Sequence, residues 1–289
     1  MSEAAGARRR DIRCLSAGGF HRMSYLEWGL PDAGRTALCV HGLTRTAADF
    51  EVLAEALAGD GWRVVAPDVV GRGASGRLAD PLGYGQPQYL ADMTVLLARL
   101  GAERVDWIGT SMGGPIGLLL AALDDSPVER LVLNDVGPFV PKAALERIVA
   151  YVGTDPHFSD MAAAEAYIRE VHAPFGRLDA AQWRRLTKIS VVPAPDGGYR
   201  LHYDPRIVEP LRQSPLEPVD LWAQWDRIRC PVLVLRGAES DLLLPETAAE
   251  MAARGPRARL VEIPDCGHAP ALRDPRQIGT VRDWLKETV

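Results

Sequence analysis

Three residue types at wide spacing could together perform acyl transfer in this chain: a serine, a histidine and an acid. Ser111 lies in Gly109-Thr110-Ser111-Met112-Gly113. A strand-like run at 103–108 precedes it, and a small, apolar, helix-like run at 114–123 follows. A serine on a sharp strand-to-helix turn presents its hydroxyl outward, and the turn tolerates only small flanking residues. A hydroxyl is a weak nucleophile at neutral pH, so it needs a base within hydrogen-bond reach and a group that orients that base. An imidazole is the natural base, because its pKa lies near working pH. His268, in Cys266-Gly267-His268-Ala269-Pro270, follows a strand run at 258–263. Asp241, in Gly237-Ala238-Glu239-Ser240-Asp241, follows a buried-strand run at 231–236, from whose end an acid can reach over a parallel sheet. We expect Ser111 as nucleophile, His268 as general base and then acid, and Asp241 as the carboxylate that sets the imidazole tautomer. Asp135, which ends the strand run at 131–134, is the main competitor for the acid. Asp265 is too close to His268 in sequence to curl back onto it, and Glu239 and Asp106 are more remote options.

These residues need a scaffold that brings distant turns together. Short runs rich in Val, Ile and Leu predict core strands at 37–40, 62–66, 104–109, 128–134, 231–236 and 258–263. Helix-like runs alternate with them at 46–58, 87–100, 112–124, 246–253 and 275–287. Strands this uniformly apolar are covered by helices on both faces, as in a mostly parallel sheet. An antiparallel region is expected before them, near 13–15 and 23–28. Residues 1–12 read as a flexible tail, with Arg8-Arg9-Arg10 as a solvated end. The alternation breaks over 137–218, where helix-like pieces at 141–152, 160–173 and 179–190 carry many aromatic residues. The core is therefore expected at 13–136 and 219–289, with 137–218 as an insertion.

The chain resembles an α/β-hydrolase of the esterase-like kind. The resemblance rests on His41-Gly42-Leu43-Thr44 after a strand, Pro67-Asp68-Val69-Val70-Gly71-Arg72-Gly73-Ala74-Ser75 after the next, the Ser111 turn, Asp241, and Gly267-His268. The order serine, acid, histidine is that family's order. Some members carry the acid where Asp135 stands. The resemblance implies an α/β-hydrolase fold, with a mostly parallel central sheet, helices on both faces and a helical lid formed by the insertion. It implies an oxyanion hole from the backbone N–H groups of Leu43 and Met112. It makes His41 a support for that loop, and the 68–75 loop a scaffold feature without chemistry. His41, Phe139 and Trp183 are candidates for residues bordering the substrate pocket. The implied activity is hydrolysis of carboxylic esters through an acyl-enzyme, with short polyester oligomers among conceivable substrates. A lactonase or C–C bond hydrolase of the same fold is the nearest rival. A perhydrolase or a non-turnover ligand receptor is more distant. The serine at position 111 disfavours haloalkane dehalogenase and epoxide hydrolase chemistry, which use aspartate there.

Composition narrows the rest. A formal net charge of −5 over 289 residues argues against a nucleic-acid partner. No stretch approaches the ~20 apolar residues of a bilayer span, and no secretory signal is seen, so a cytoplasmic location is expected. Cys14, Cys39, Cys230 and Cys266 are widely spaced and read as reduced thiols. No metal and no organic cofactor is expected. The expected partner is a small-molecule ester, and the expected assembly a monomer or homodimer.

Overall fold

The computed structural model describes residues 6–213 and 215–287. The chain opens with a hairpin of β1 (Arg8–Ser16) and β2 (Gly19–Trp28). It continues through β3 (Thr36–Val40), α1 (Glu51–Gly59), β4 (Arg63–Pro67), α2 (Gln86–Leu100), β5 (Val105–Thr110), α3 (Gly113–Ala121) and β6 (Val128–Asn134). An insertion follows, with β7 (Phe139–Val140), α4 (Lys142–Val152), β8 (His157–Phe158), α5 (Met161–Val171), α6 (Ala180–Ser190), β9 (Val191–Pro193), β10 (Tyr199–Leu201), α7 (Glu209–Arg212) and β11 (Val219–Asp220). The core then resumes with α8 (Trp222–Trp225), β12 (Val232–Gly237), α9 (Pro245–Ala253), β13 (Arg259–Ile263) and α10 (Pro275–Glu287). Eight strands form one sheet in the order β1-β2-β4-β3-β5-β6-β12-β13. It is antiparallel at β1–β2 and β2–β4 and parallel from β4 to β13.

The period-two alternation of strand side chains divides the core into two layers. Leu38 and Val40 of β3, with Leu131 and Leu133 of β6, face the side covered by α2 and α3. Ala37, Cys39 and Val132 face the other side, under α1 and α10. Both faces of the central strands are buried, which is why runs such as 37–40 of β3 and 232–235 of β12 are continuously apolar.

The first strand corrects one expectation. It begins at Arg8, so residues 8–12 are not a loose tail, while residues 1–5 lie outside the described part. Arg8 and Arg10 project to one side of β1 and meet the buried carboxylate of Glu27 at 3.8 and 3.6 Å. Arg9 projects to the other side and reaches Ser24 at 3.0 Å and Asp68 at 3.4 Å. The triple arginine is thus held by carboxylates on both faces of a paired strand.

Beyond β6, the strands β7 and β11 pair antiparallel, Phe139 with Asp220 and Val140 with Val219, and so close the base of the insertion. Within it, β8, β10 and β9 form a small sheet beside the helices. No helix among the described residues is long and apolar enough to cross a membrane.

Candidate active site

Ser111 stands on the turn from β5 into α3 with φ of 50°, a left-handed conformation that costs a side-chain-bearing residue energy. Its N–H donates to the Asn134 carbonyl at 3.1 Å, and its own carbonyl accepts from Gly114 N–H at 2.8 Å. Glycine is needed on both flanks. A Cβ on Gly109 would lie 2.3 Å from the Gly113 carbonyl oxygen, and one on Gly113 would lie 2.0 Å from that of Val40.

His268, on the loop after β13, accepts the Ser111 hydroxyl at Nε2 over 2.8 Å. Its Nδ1 meets Oδ2 of Asp135 at 2.8 Å, not Asp241. Asp135 directly follows β6, which lies beside β5 in the sheet, so it starts one strand away from the serine. Its fully buried carboxylate also accepts the Gly237 N–H at 2.7 Å and the Ser240 hydroxyl at 2.5 Å. Ser240 Oγ in turn accepts from Leu243 N–H at 3.1 Å, which leaves its proton for Asp135. The turn after β12 therefore delivers Ser240 inward and rotates Asp241 outward. There Asp241 is exposed and paired with Arg147 of α4 at 2.7 and 2.9 Å.

The loop after β3 lies against the serine, with a Cβ on Gly42 only 3.4 Å from that of Ser111. His41 is fully buried; its Nδ1 donates to the Gly42 carbonyl at 2.7 Å and its Nε2 accepts from Val69 N–H at 2.9 Å. Accepting at Nε2 requires the neutral ring, and burial brings its pKa down to about 4. The Gly42 carbonyl also accepts from Arg45 N–H at 3.1 Å. In a trans peptide the N–H points opposite the carbonyl. Fixing the Gly42 carbonyl therefore fixes the direction of the Leu43 N–H.

Comparison with known proteins decides the family. Residues 38–275 match the α/β hydrolase fold family. The chain belongs to that family. It is 50% identical to a 3-hydroxybutyrate-oligomer hydrolase from Cupriavidus necator, over 95% of this chain and 96% of that protein. The crystal structure of a Rickettsia typhi protein superposes with a TM-score of 0.91 at 32% identity, covering 98% of this chain and 99% of that one. An α/β-hydrolase from Novosphingobium aromaticivorans superposes at 0.87 with 40% identity, covering 97% and 98%. The expected class holds: this α/β-hydrolase is an ester-cleaving enzyme.

A cavity of about 320 Å³ opens beside Ser111 in this α/β-hydrolase, with Leu43 and Met112 next to the serine. Its walls are almost wholly apolar. Leu119 and Val136 come from the core, and Val140, Leu145 and Ile148 from the insertion. The three candidates for pocket residues are not among them. His41 is fully buried behind its loop. Phe139 projects from β7 opposite to Val140, and it is Val140 that borders the cavity. Trp183 is buried in α6, where the Arg169 guanidinium of α5 lies over its ring at 5.2 Å. It holds the insertion to itself.

Three residues near the serine have no role that spacing alone assigns. Ser240 was legible only as the neighbour of Asp241. Asn134, buried at the end of β6, donates to the Pro270 carbonyl at 2.9 Å and to Thr110 Oγ1 at 3.1 Å, so it ties the histidine loop to the serine turn. Arg72 lies in the loop to which no chemistry was assigned. The four cysteines are free. Burial raises Cys14 to about 12, Cys230 and Cys266 to about 11, and Cys39 higher still, so none is a ready nucleophile.

Proposed function

We propose that this enzyme hydrolyses short aliphatic esters, linear oligomers of 3-hydroxy acids among them, with Ser111 as nucleophile, His268 as base and Asp135 as the orienting acid. The observation that carries this reading is the unbroken hydrogen-bond chain from Asp135 through His268 to Ser111, ending at an apolar cavity. With Asp135 accepting at Nδ1, the bare Nε2 is the atom able to take the serine proton. Ser111 Oγ then adds to the ester carbonyl, and His268 returns the proton to the departing alcohol. Water, deprotonated at the same nitrogen, releases the acid from the acyl-serine. Leu43 and Met112 N–H groups hold the oxyanion in both steps, each donor contributing about 3–4 kcal/mol in such sites.

The substrate class draws on two supports. The Cupriavidus necator relative is named for hydrolysis of 3-hydroxybutyrate oligomers. The cavity lies near the small end of the ~300–1,000 Å³ typical of small-molecule sites, which suits short units. The insertion is proposed as a lid, since Leu145 and Ile148 of α4 form part of the cavity wall. A cytoplasmic location is part of the proposal, in keeping with four unpaired cysteines.

The test is turnover of a p-nitrophenyl ester series and of linear 3-hydroxybutyrate dimer and trimer by wild type and Ser111→Ala. Wild type should cleave short acyl esters and both oligomers, and the substitution should lower turnover by on the order of 10⁶. Undiminished ester cleavage in Ser111→Ala would sink the acyl-enzyme reading. Ester cleavage without oligomer cleavage would sink the substrate class alone.

A further inference from the structure

Arg72 is 1% exposed and sits on the loop after β4, yet none of its partners among the described residues is a carboxylate. Its Nε donates to the Leu43 carbonyl at 2.8 Å. Its Nη1 donates to the Val70 carbonyl at 2.7 Å and to the Tyr89 hydroxyl at 3.0 Å. Its Nη2 reaches the Met112 sulfur at 3.5 Å. The Tyr89 and Tyr84 rings lie 5.2 and 5.8 Å from the guanidinium carbon. Burying a cation without a counter-ion costs several kcal/mol, and an apolar side chain would fill the space without that cost. Carbonyl oxygens and aromatic faces soften the penalty but leave the charge uncancelled. The two residues it holds, Leu43 and Met112, are the pair whose N–H groups are proposed to bind the oxyanion.

We propose that Arg72 is a positioning residue for the transition state. It clamps the loop after β3 to the serine turn, and its charge is balanced only when the oxyanion forms between the two residues it holds. A clamp set in advance needs no reorganisation during reaction, and a cation beside a developing anion in a dry site acts far more strongly than in water. The inference rests on the oxyanion-hole reading above.

The experiment compares wild type, Arg72→Met and Arg72→Lys on p-nitrophenyl butyrate. It adds inhibition by n-butylboronic acid, which forms a tetrahedral anion on Ser111, and by butyrate, which does not. Arg72→Met should lose roughly 10- to 100-fold in kcat with KM changed by less than about threefold, and boronate affinity should fall in parallel while butyrate affinity holds. Arg72→Lys, which keeps the charge but cannot span both contacts, should fall between. Folded Arg72→Met with kcat and boronate affinity within about threefold of wild type overturns the proposal. Equal losses of boronate and butyrate binding also overturn it. Should Arg72→Met not fold, an unchanged kcat in Arg72→Lys overturns it. Failure of both variants to fold marks a scaffold residue and overturns it as well. A wild type that binds boronate but cleaves no ester refutes the substrate reading instead, and leaves the boronate comparison to decide on Arg72.

Discussion

The acid is the residue on which distance and spacing part company. Asp135 bonds His268 Nδ1, whereas Asp241 pairs with an arginine at the surface. An amide at position 135 can present its NH₂ to the ring and favour the wrong tautomer. In serine hydrolases of known mechanism that error costs about 10⁴ in turnover. Asp135→Asn should therefore lose on the order of 10⁴ in kcat, with Asp241→Asn within about threefold of wild type. Steady-state kinetics on one short ester decides between them, and the reverse ranking would restore Asp241.

At the scale of elements, the Arg147–Asp241 pair links α4 of the insertion to the turn after β12. Both side chains are about half exposed, so solvent and salt screen the pair, and its loss should cost no more than about 1 kcal/mol. Leu145 and Ile148 of the same helix border the cavity. Asp241→Ala should thus raise KM for 3-hydroxybutyrate trimer by roughly two- to fivefold, with kcat on p-nitrophenyl acetate unchanged. Salt of about 1 M should reproduce the shift in wild type and add nothing in the variant. A trimer KM indifferent to both would mean that the contact does not restrain the insertion.

Across the whole molecule, acid sensitivity should come first from histidines buried in the neutral form. Burial lowers His41 to about 4; burial, followed by the charge of Arg45, lowers His172 to about 3. The unfolded chain takes up these protons near pH 6.5, so the unfolded state binds more protons over the interval below. Stability then falls as pH drops from 6.5 towards 4. Asp60 works at lower pH. Hydrogen bonding to Arg282, its largest influence, holds it near 2, so its contribution is lost only as pH falls below 3.8. Tm should be level above pH 7 and decline between pH 6.5 and 4. His172→Gln should flatten part of that decline, since glutamine still offers an acceptor to Arg45. A wild-type Tm unchanged from pH 7 to 4 would contradict it.

The serine turn, the histidine and the strands that carry them were legible because local physics dictates them. A tight strand-to-helix turn demands Gly109 and Gly113, and burial on both faces demands unbroken apolar runs such as 37–40 of β3 and 232–235 of β12. Which carboxylate meets the imidazole was not legible. Asp135 and Asp241 each end a strand run, and only the lateral order of strands and the sense of one turn decide which reaches the imidazole. Pocket residues were hidden for the same reason. Phe139 and Val140 are adjacent in sequence but project to opposite faces of β7. The contacts of Arg72 with Leu43 and Met112 lie 29 and 40 residues away, which spacing cannot reveal. Even the arginines of β1 have the pattern of a free end in the sequence, and only the fold sets Glu27 and Asp68 opposite them. Residue type and period settle local conformation, whereas the choice among chemically equivalent side chains is made by non-local packing.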